Sequence, residues 1–240
     1  MAKERVTVCV PRYAPGDVLR AVGAAMAPFD YNRDAGPGVP DIETWWEYWR
    51  IDGRGCEFPV VPGHEADPRL IRGSEALSGE PRNVPPSLCG GGPRALLDLE
   101  RPRAQAAAEV RRAFEAWQAF ASGYPPARAA SDFWARHFAD PEGYPQTQVR
   151  EDFRTQPVIA ALRDHSELRD LVGGDPVARF GDNLDTLVCE AADEALPTNA
   201  LLTLDGRWLA IAGNERRRYF NEYLDALPAD AYAVRVLYHG

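Results

Sequence analysis

The stretch TWWEYWRIDGRG, residues 44–55, dominates the fold prediction because it holds three of the six tryptophans within five positions. Aromatic and β-branched residues favour a pleated, packed surface, and side chains alternate between the two faces of a strand. One face of the predicted strand carries Trp45 and Trp49, and the other carries Trp46 and Tyr48. Large aromatic side chains on both faces predict that protein covers both sides of this strand.

Strand and helix patterns flank this stretch at both ends of the chain. The predicted elements are a strand over 5–10, a helix opening near Asp17, the aromatic strand, a hairpin of 199–204 and 207–211 around Asp205-Gly206, a helix over 215–227 and a strand over 232–239. This order is the split βαβ arrangement of a ferredoxin-like sheet. Both framework helices are then expected on one face, and the last strand is expected beside the first.

The middle of the chain is predicted to be a large insertion between the second and third core strands of this α+β fold. The predicted division is a single domain over 1–240, with a core of 1–55 and 196–240 and an insertion of 56–195 that is irregular over 56–101 and helical over 102–195. The insertion is expected to cover the open face of the sheet. Pockets are common where two such parts of a chain meet, and we call this predicted contact between sheet and insertion the aromatic seam. Gly90-Gly91-Gly92 is expected to be flexible, and no lysine with Ser or Thr follows it as a phosphate-binding loop requires.

Composition and charge argue against several classes of function. The net charge of −9 argues against a general nucleic-acid binder, which normally shows a basic face. No apolar run approaches the roughly 20 residues that span a bilayer, and residues 1–5 lack the apolar region of a secretory signal. The four cysteines form no C-x-x-C pair, so we expect reduced, structural thiols in a cytoplasmic protein.

Three stretches resemble an uncharacterised group of bacterial and phage proteins. The group carries an aromatic strand W-x-W/Y-x-x-I-G-G-R after an Asn-rich loop, a strand A-L-L-T-P-D-G-x-W, and a last strand ending in histidine. The matching residues are Asn32, Trp46, Tyr48, Ile51, Gly53, Arg54, Ala200, Leu201, Leu202, Thr203, Asp205, Gly206, Trp208, Tyr238 and His239. Asp52 and Leu204 depart from the pattern, where the group has glycine and proline. The resemblance implies no activity, only that these stretches form one structural unit.

The candidate catalytic residues are Tyr48 and His239. In the ferredoxin-like order a polar set shares the insertion-covered face with Tyr48 or Trp46, and its members are Thr7, Cys9, Arg235 and His239. Such a face could hold a general acid or base. A solvated or capped C-terminal histidine is the favoured alternative for His239.

The candidate ligand-binding residues surround the same seam and are Trp46, Arg54, Arg235 and Cys9. Arg54, flanked by glycines, could bind a carboxylate or phosphate in bidentate fashion. Stacking on tryptophan or pairing with a local acid is the favoured alternative for Arg54. Arg235 could equally be an exposed charge at the sheet edge.

Other ionisable clusters are weaker candidates. His64, Glu65 and Asp67 are three potential metal ligands within four residues, but their spacing matches no closed zinc pattern. A proline-flanked surface loop is the favoured interpretation, and no metal or cofactor is predicted. His137 and His165 lie on predicted helices, where packing or solvation explains them.

Two function classes remain open on this basis. The leading prediction is a non-catalytic binding or accessory protein that uses the aromatic seam to hold a small anionic ligand or a protein partner. The alternative is a small-molecule enzyme that performs acid/base chemistry on an anionic substrate, with Tyr48, Arg54, Arg235 and His239 lining the pocket. General nucleic-acid binding and membrane association are not expected.

Overall fold

The structure is a computed structural model that describes residues 3–12, 17–32, 44–51, 57–72, 84–181 and 183–239. The chain forms two compact units. One comprises Met1–Arg103 with Asp193–Gly240, and the other comprises Ala104–Ala192. A sheet in the first unit and helices in the second confirm the predicted α+β class.

The described part of the chain contains short strands and helices in alternation with irregular segments. The strands are β1 (Lys3–Val10), β2 (Tyr48–Ile51), β3 (Phe58–Pro59), β4 (Leu88–Cys89), β5 (Gly91–Pro93), β6 (Ala200–Leu202), β7 (Trp208–Ala210) and β8 (Tyr232–His239). The helices are α1 (Val18–Met26), α2 (Glu100–Ala121), α3 (Ala130–Ala139), α4 (Gln146–Thr155), α5 (Pro157–Leu162), α6 (Ser166–Val172), α7 (Pro176–Arg179), α8 (Leu184–Glu194) and α9 (Asn214–Ala226).

The main sheet has the order β2-β8-β1-β6-β7, with β5 also paired to β8. β1 is antiparallel to β8 over its full length and parallel to β6, so the last strand does lie beside the first. The aromatic strand departs from the ferredoxin-like order, because β2 pairs with β8 and not with β6. The outer edge of β6 is taken by β7.

The hairpin turn explains this departure. Gly206 has a φ of +77°, which glycine adopts without strain. The turn therefore brings β7 back beside β6 at the low entropic cost of closing a short loop. Once β7 occupies that edge, the aromatic strand pairs at the other side of the sheet.

The first face of the sheet packs against α1. Val6, Val8 and Val10 of β1 point to this side, where Val22 and Met26 of α1 join them in one core. Trp46 is buried in the same core, and Trp45, Trp49 and Trp208 pack against it. The tryptophans of the opening stretch therefore serve to close this face.

The second face packs against α9 and the segment 57–99. Cys9 of β1 lies in a second core with Phe58, Phe220 and Leu224. The two framework helices therefore lie on opposite faces of the sheet, and the prediction of one shared face was wrong. The reason is that β1 is buried on both sides, so each face requires its own cover.

The glycine run forms part of the sheet. Gly91 and Gly92 belong to β5 and pair with β8, so the predicted flexibility is not observed. A Cβ atom on Gly91 would lie 2.6 Å from the backbone oxygen of Ala233. Only glycine permits this close approach of two backbones.

The helical unit has its own core. Trp117, Val158, Leu162 and Phe180 are among its buried members. Pro157 separates two helices, since α4 ends at Thr155 and α5 begins at the proline. No described helix combines the length and apolar composition needed to cross a bilayer.

Candidate functional site

β2 and β8 bring the two candidate catalytic residues together. Tyr48 lies directly opposite His239, so their side chains share one face of the sheet. A carboxylate oxygen of Glu47 lies 3.8 Å from Nδ1 of His239. Tyr48 and His239 line a depression of only about 60 Å³, whereas ligand pockets usually exceed about 300 Å³. The predicted neighbours do meet, but this depression does not enclose a substrate.

Trp46 lies in the core against α1, and its predicted ligand-binding role is corrected to a structural one. The indole N–H donates a hydrogen bond to the backbone oxygen of Met26, at 2.9 Å. The Trp46 ring meets Trp49 edge-on at 6.4 Å between centroids. Trp46 and Trp49 share one core because β2 begins only at Tyr48, so strand alternation does not extend back to Trp46.

Arg235 and Cys9 are enclosed in the second core, so their predicted ligand-binding roles are also corrected. Arg235 is 0% exposed and Cys9 is 2% exposed. The Arg235 guanidinium carbon lies 4.1 Å from the centroid of the Phe58 ring and 5.9 Å from that of Phe220. It also donates a hydrogen bond to Oγ1 of Thr7. Phe58 and Phe220 cover the face that was expected to open onto a ligand.

Burial makes the two core thiols unreactive. It raises the pKa of Cys9 to about 12 and that of Cys89 to about 11, although the positive charge of Arg235 lowers both. A thiol is a nucleophile only as the thiolate. Neither cysteine is therefore a candidate nucleophile at neutral pH.

The predicted loop cluster of His64, Glu65 and Asp67 does not form a site in the described part of the chain. Arg54 lies outside the described residues. Asp67 receives a hydrogen bond from the Arg69 side chain at 2.8 Å, and this bond holds the pKa of the carboxyl at about 2. Within the described ranges, no three His, Cys, Asp or Glu side chains gather in a geometry that could hold a metal ion.

The two helical histidines have structural neighbours. Nδ1 of His137 lies 2.8 Å from the backbone oxygen of Tyr144. The His165 ring meets Phe120 edge-on at 5.1 Å between centroids. Packing explains both, in line with the favoured interpretation.

A groove in the sheet unit, here called the Arg5 groove, is the site that sequence reasoning missed. It has a volume of about 330 Å³. Its lining residues are Arg5, Asp193, Glu194, Leu196, Pro197, Thr198, Asn199, Ile211, Arg217 and Phe220. The buried side chains of Leu196 and Phe220 give it an apolar base, and charged groups of both signs surround it.

Local sequence positions each wall of the Arg5 groove. Arg5 precedes Val6 in the alternation of β1, so its side chain turns to the α9 side of the sheet. The Asn199 side chain accepts a hydrogen bond from the Arg5 N–H, and the Asn199 N–H donates to the Arg5 oxygen, both at 2.9 Å. On the helix side, Arg217 of α9 pairs with Glu194 at 2.6 Å. The first two contacts fix the backbone of Arg5, and the third holds the Arg217 side chain on a separate element.

A hydrogen-bonded chain connects the buried Arg235 to the Arg5 groove. Arg235 donates to Thr7 Oγ1, and Thr7 Oγ1 lies 3.2 Å from Oγ1 of Thr198, which lines the groove. The Thr198 hydroxyl donates to the backbone oxygen of Ala200 at 2.8 Å. A charge inside the protein acts over a longer range than one in water. The sheet wall of the groove is therefore electropositive, with Arg5 on it and Arg235 behind it.

This arrangement is suited to binding. The Arg5 guanidinium on the sheet wall can donate to the oxygens of a carboxylate or phosphate. The Glu194 carboxylate can accept from a donor group of the same ligand. The ionisable groups of the described lining are two arginines and the carboxylates of Asp193 and Glu194. The alternation of Arg5 with the valines of β1 was the one sequence signal for this groove. No local pattern predicts that Arg5 lies near Thr198 or Arg217.

No family model, no curated protein and no solved structure matches this chain. The resemblance to bacterial and phage proteins therefore stays a prediction.

Proposed function

We propose that the chain is a non-catalytic binding protein whose Arg5 groove holds a small polar molecule with an anionic group. The observation that carries this proposal is the electropositive sheet wall, where Arg5 stands beside Thr198 and Arg235 lies behind it. A volume of about 330 Å³ is of the size that small-molecule sites use. The proposal keeps the predicted class of function and moves the site away from the aromatic seam.

Charges in the groove favour a zwitterionic ligand. An anionic group placed at Arg5 and Thr198 would leave the other end of the molecule near Glu194, which favours an ammonium or amide donor there. Leu196 and Phe220 offer apolar contact for a short side chain. Free amino acids combine these features within the available volume.

Support for binding over catalysis comes from the separation of the reactive groups. Tyr48 and His239 line the small depression at the β2 edge and are not part of the groove lining. Arg235 acts from beneath the wall and is not accessible. Binding by the groove requires none of these groups to exchange a proton with the ligand.

The test is a thermal-shift panel of the twenty common amino acids and of their amides, which lack the carboxylate, followed by isothermal titration calorimetry of each hit. We expect at least one amino acid to bind, and its amide to bind at least about tenfold more weakly. Arg5→Gln should weaken binding about tenfold or more, because it removes a charge-assisted contact. Thr198→Val should have a smaller effect on binding, because the Thr198 hydroxyl already donates its proton to the Ala200 oxygen.

Arg12→Gln is the matched control, because Arg12 is an exposed arginine on the same segment as β1 and pairs only loosely with Asp230, at 3.9 Å. It should leave the affinity unchanged. If no amino acid binds, or if Arg5→Gln and Arg12→Gln weaken binding equally, the groove is not the site.

A further inference from the structure

A second pocket lies wholly within the helical unit and is lined by four arginines. It has a volume of about 440 Å³, and we call it the four-arginine pocket. Its arginines are Arg150, Arg154, Arg163 and Arg169. No local sequence pattern marks this cluster, because the four arginines are distributed over three successive helical segments.

Helix geometry brings the four side chains to one place. Arg150 and Arg154 are four residues apart on α4, so they lie on the same face of that helix. Arg163 follows α5 and donates to the backbone oxygen of Arg154 at 2.9 Å, which ties the end of α4 to the α5–α6 connection. Arg169 lies in α6, whose end at Gly173 completes the rim.

The pocket concentrates positive charge with little local compensation. None of the described residues that line it is acidic. Arg150 and Arg154 form no ion pair with any residue in the described part of the chain, and the Asp170 contact of Arg169 is a loose one, at 3.7 Å. Four like charges around one cavity repel one another. In a chain with a net charge of −9, such a cluster favours a bound counter-anion.

The same pocket has an apolar and aromatic side. Val149, Ile159 and Leu162 are buried beneath it, and the rings of Trp134 and Phe153 are half-buried at its wall. Inorganic phosphate would leave this surface uncovered. A ligand that satisfies both surfaces carries an aromatic ring as well as its negative charges.

We propose that the four-arginine pocket binds an aromatic small molecule that carries phosphate groups, of the size of a nucleoside diphosphate. Guanidinium groups match phosphate oxygens in bidentate geometry, and aromatic side chains stack on planar rings. The pocket and the Arg5 groove lie in different units, so this site is independent of the proposed function.

The experiment is calorimetric titration of the full chain with ADP, inorganic pyrophosphate and adenosine at low salt. We expect ADP to bind, and pyrophosphate and adenosine each to bind at least about tenfold more weakly, since each offers only one of the two features. The Arg150→Gln/Arg154→Gln double variant should lower the affinity for ADP about a hundredfold. Trp134→Leu should lower the affinity for ADP about tenfold and leave the affinity for pyrophosphate unchanged.

Two controls make the outcome specific. Arg111→Gln/Arg112→Gln removes two exposed, adjacent arginines of α2 that do not line the pocket, and it should leave ADP affinity unchanged. Arg5→Gln should also have no effect on ADP, which separates this site from the Arg5 groove. Arg150 and Arg154 are exposed, so their replacement is expected to preserve the thermal unfolding midpoint.

The proposal is overturned if ADP does not bind, or if the two double variants lower the affinity for ADP equally. The assignment of an aromatic ligand is overturned if pyrophosphate binds as tightly as ADP.

Discussion

Among single residues, Arg235 has the most unusual position, because a fully buried ion costs several kcal/mol unless its surroundings compensate. The Phe58 ring faces its guanidinium at 4.1 Å, and the Thr7 hydroxyl accepts a hydrogen bond from it. A guanidinium is weakly hydrated and stacks on aromatic faces, which lowers the cost of burying it. Arginine at this position therefore serves both the core and the charge behind the Arg5 groove.

Arg235→Ala should lower the free energy of unfolding by about 3 kcal/mol or more, through the cavity and the lost ring contact. Arg235→Lys should have a smaller effect, because lysine keeps the charge but cannot stack as a plane. Urea unfolding measures both values. The matched control is Arg20→Ala, whose side chain is 87% exposed and which should change stability by less than about 0.5 kcal/mol. Equal effects of Arg235→Ala and Arg20→Ala would show that the core does not depend on Arg235.

Among the secondary-structure elements, α1 and the aromatic segment depend on each other. The Trp46 indole donates to the Met26 oxygen at the point where α1 passes into a 3-10 turn over Ala27–Phe29. Trp45 stacks on Trp208 of the β6–β7 hairpin at 6.1 Å between centroids. The tryptophans thus connect elements that are distant in sequence.

Trp46→Phe should lower the free energy of unfolding by about 1–3 kcal/mol, because the indole hydrogen bond to the Met26 oxygen is lost while most of the ring volume remains. It should leave the affinity of the Arg5 groove unchanged. Tyr48→Phe is the control, since Tyr48 is 53% exposed and its loss of a hydroxyl should be nearly neutral. Chemical unfolding measures the change in stability, and calorimetric titration measures the ligand affinity of the Arg5 groove. A ligand affinity lowered by Trp46→Phe would restore the ligand-binding role predicted from the sequence.

At the scale of the whole molecule, the two compact units each have their own hydrophobic core. The sheet unit also buries several groups that ionise at alkaline pH. Burial raises the pKa values of Cys9, Cys89, Tyr232 and Tyr238. All four are neutral when protonated, so the folded state keeps their protons at pH values where the unfolded chain loses them.

Stability should therefore fall as the pH rises above about 9, where the thiols of the unfolded chain ionise. Between pH 9 and 11 each buried thiol should remove about 1 kcal/mol per pH unit from the free energy of unfolding. Cys9→Ala should reduce this slope, and Cys189→Ala should not, because Cys189 is exposed. Urea unfolding across this pH range gives the slopes, and identical slopes for the two variants would contradict the assignment.

Predictions from local pattern were accurate where the chain itself supplies the cause. The last strand occupies the predicted residues 232–239, and α9 lies within one residue of its predicted bounds. The turn at Gly206 and the break at Pro157 follow from the backbone chemistry of those two residues. For the candidate site, alternation placed Tyr48 and His239 on one face, where the structure pairs them.

The sequence by itself determined the α+β class and most helices and strands, because periodicity and turn residues act within a few positions. Only the tertiary structure decided that β2 pairs with β8, that α1 and α9 cover opposite faces, and that Arg235 is enclosed. It also assembled Arg5 with Arg217, and Trp134 with the four arginines. These outcomes depend on which surfaces compete for burial across the folded chain, and no local pattern encodes that competition.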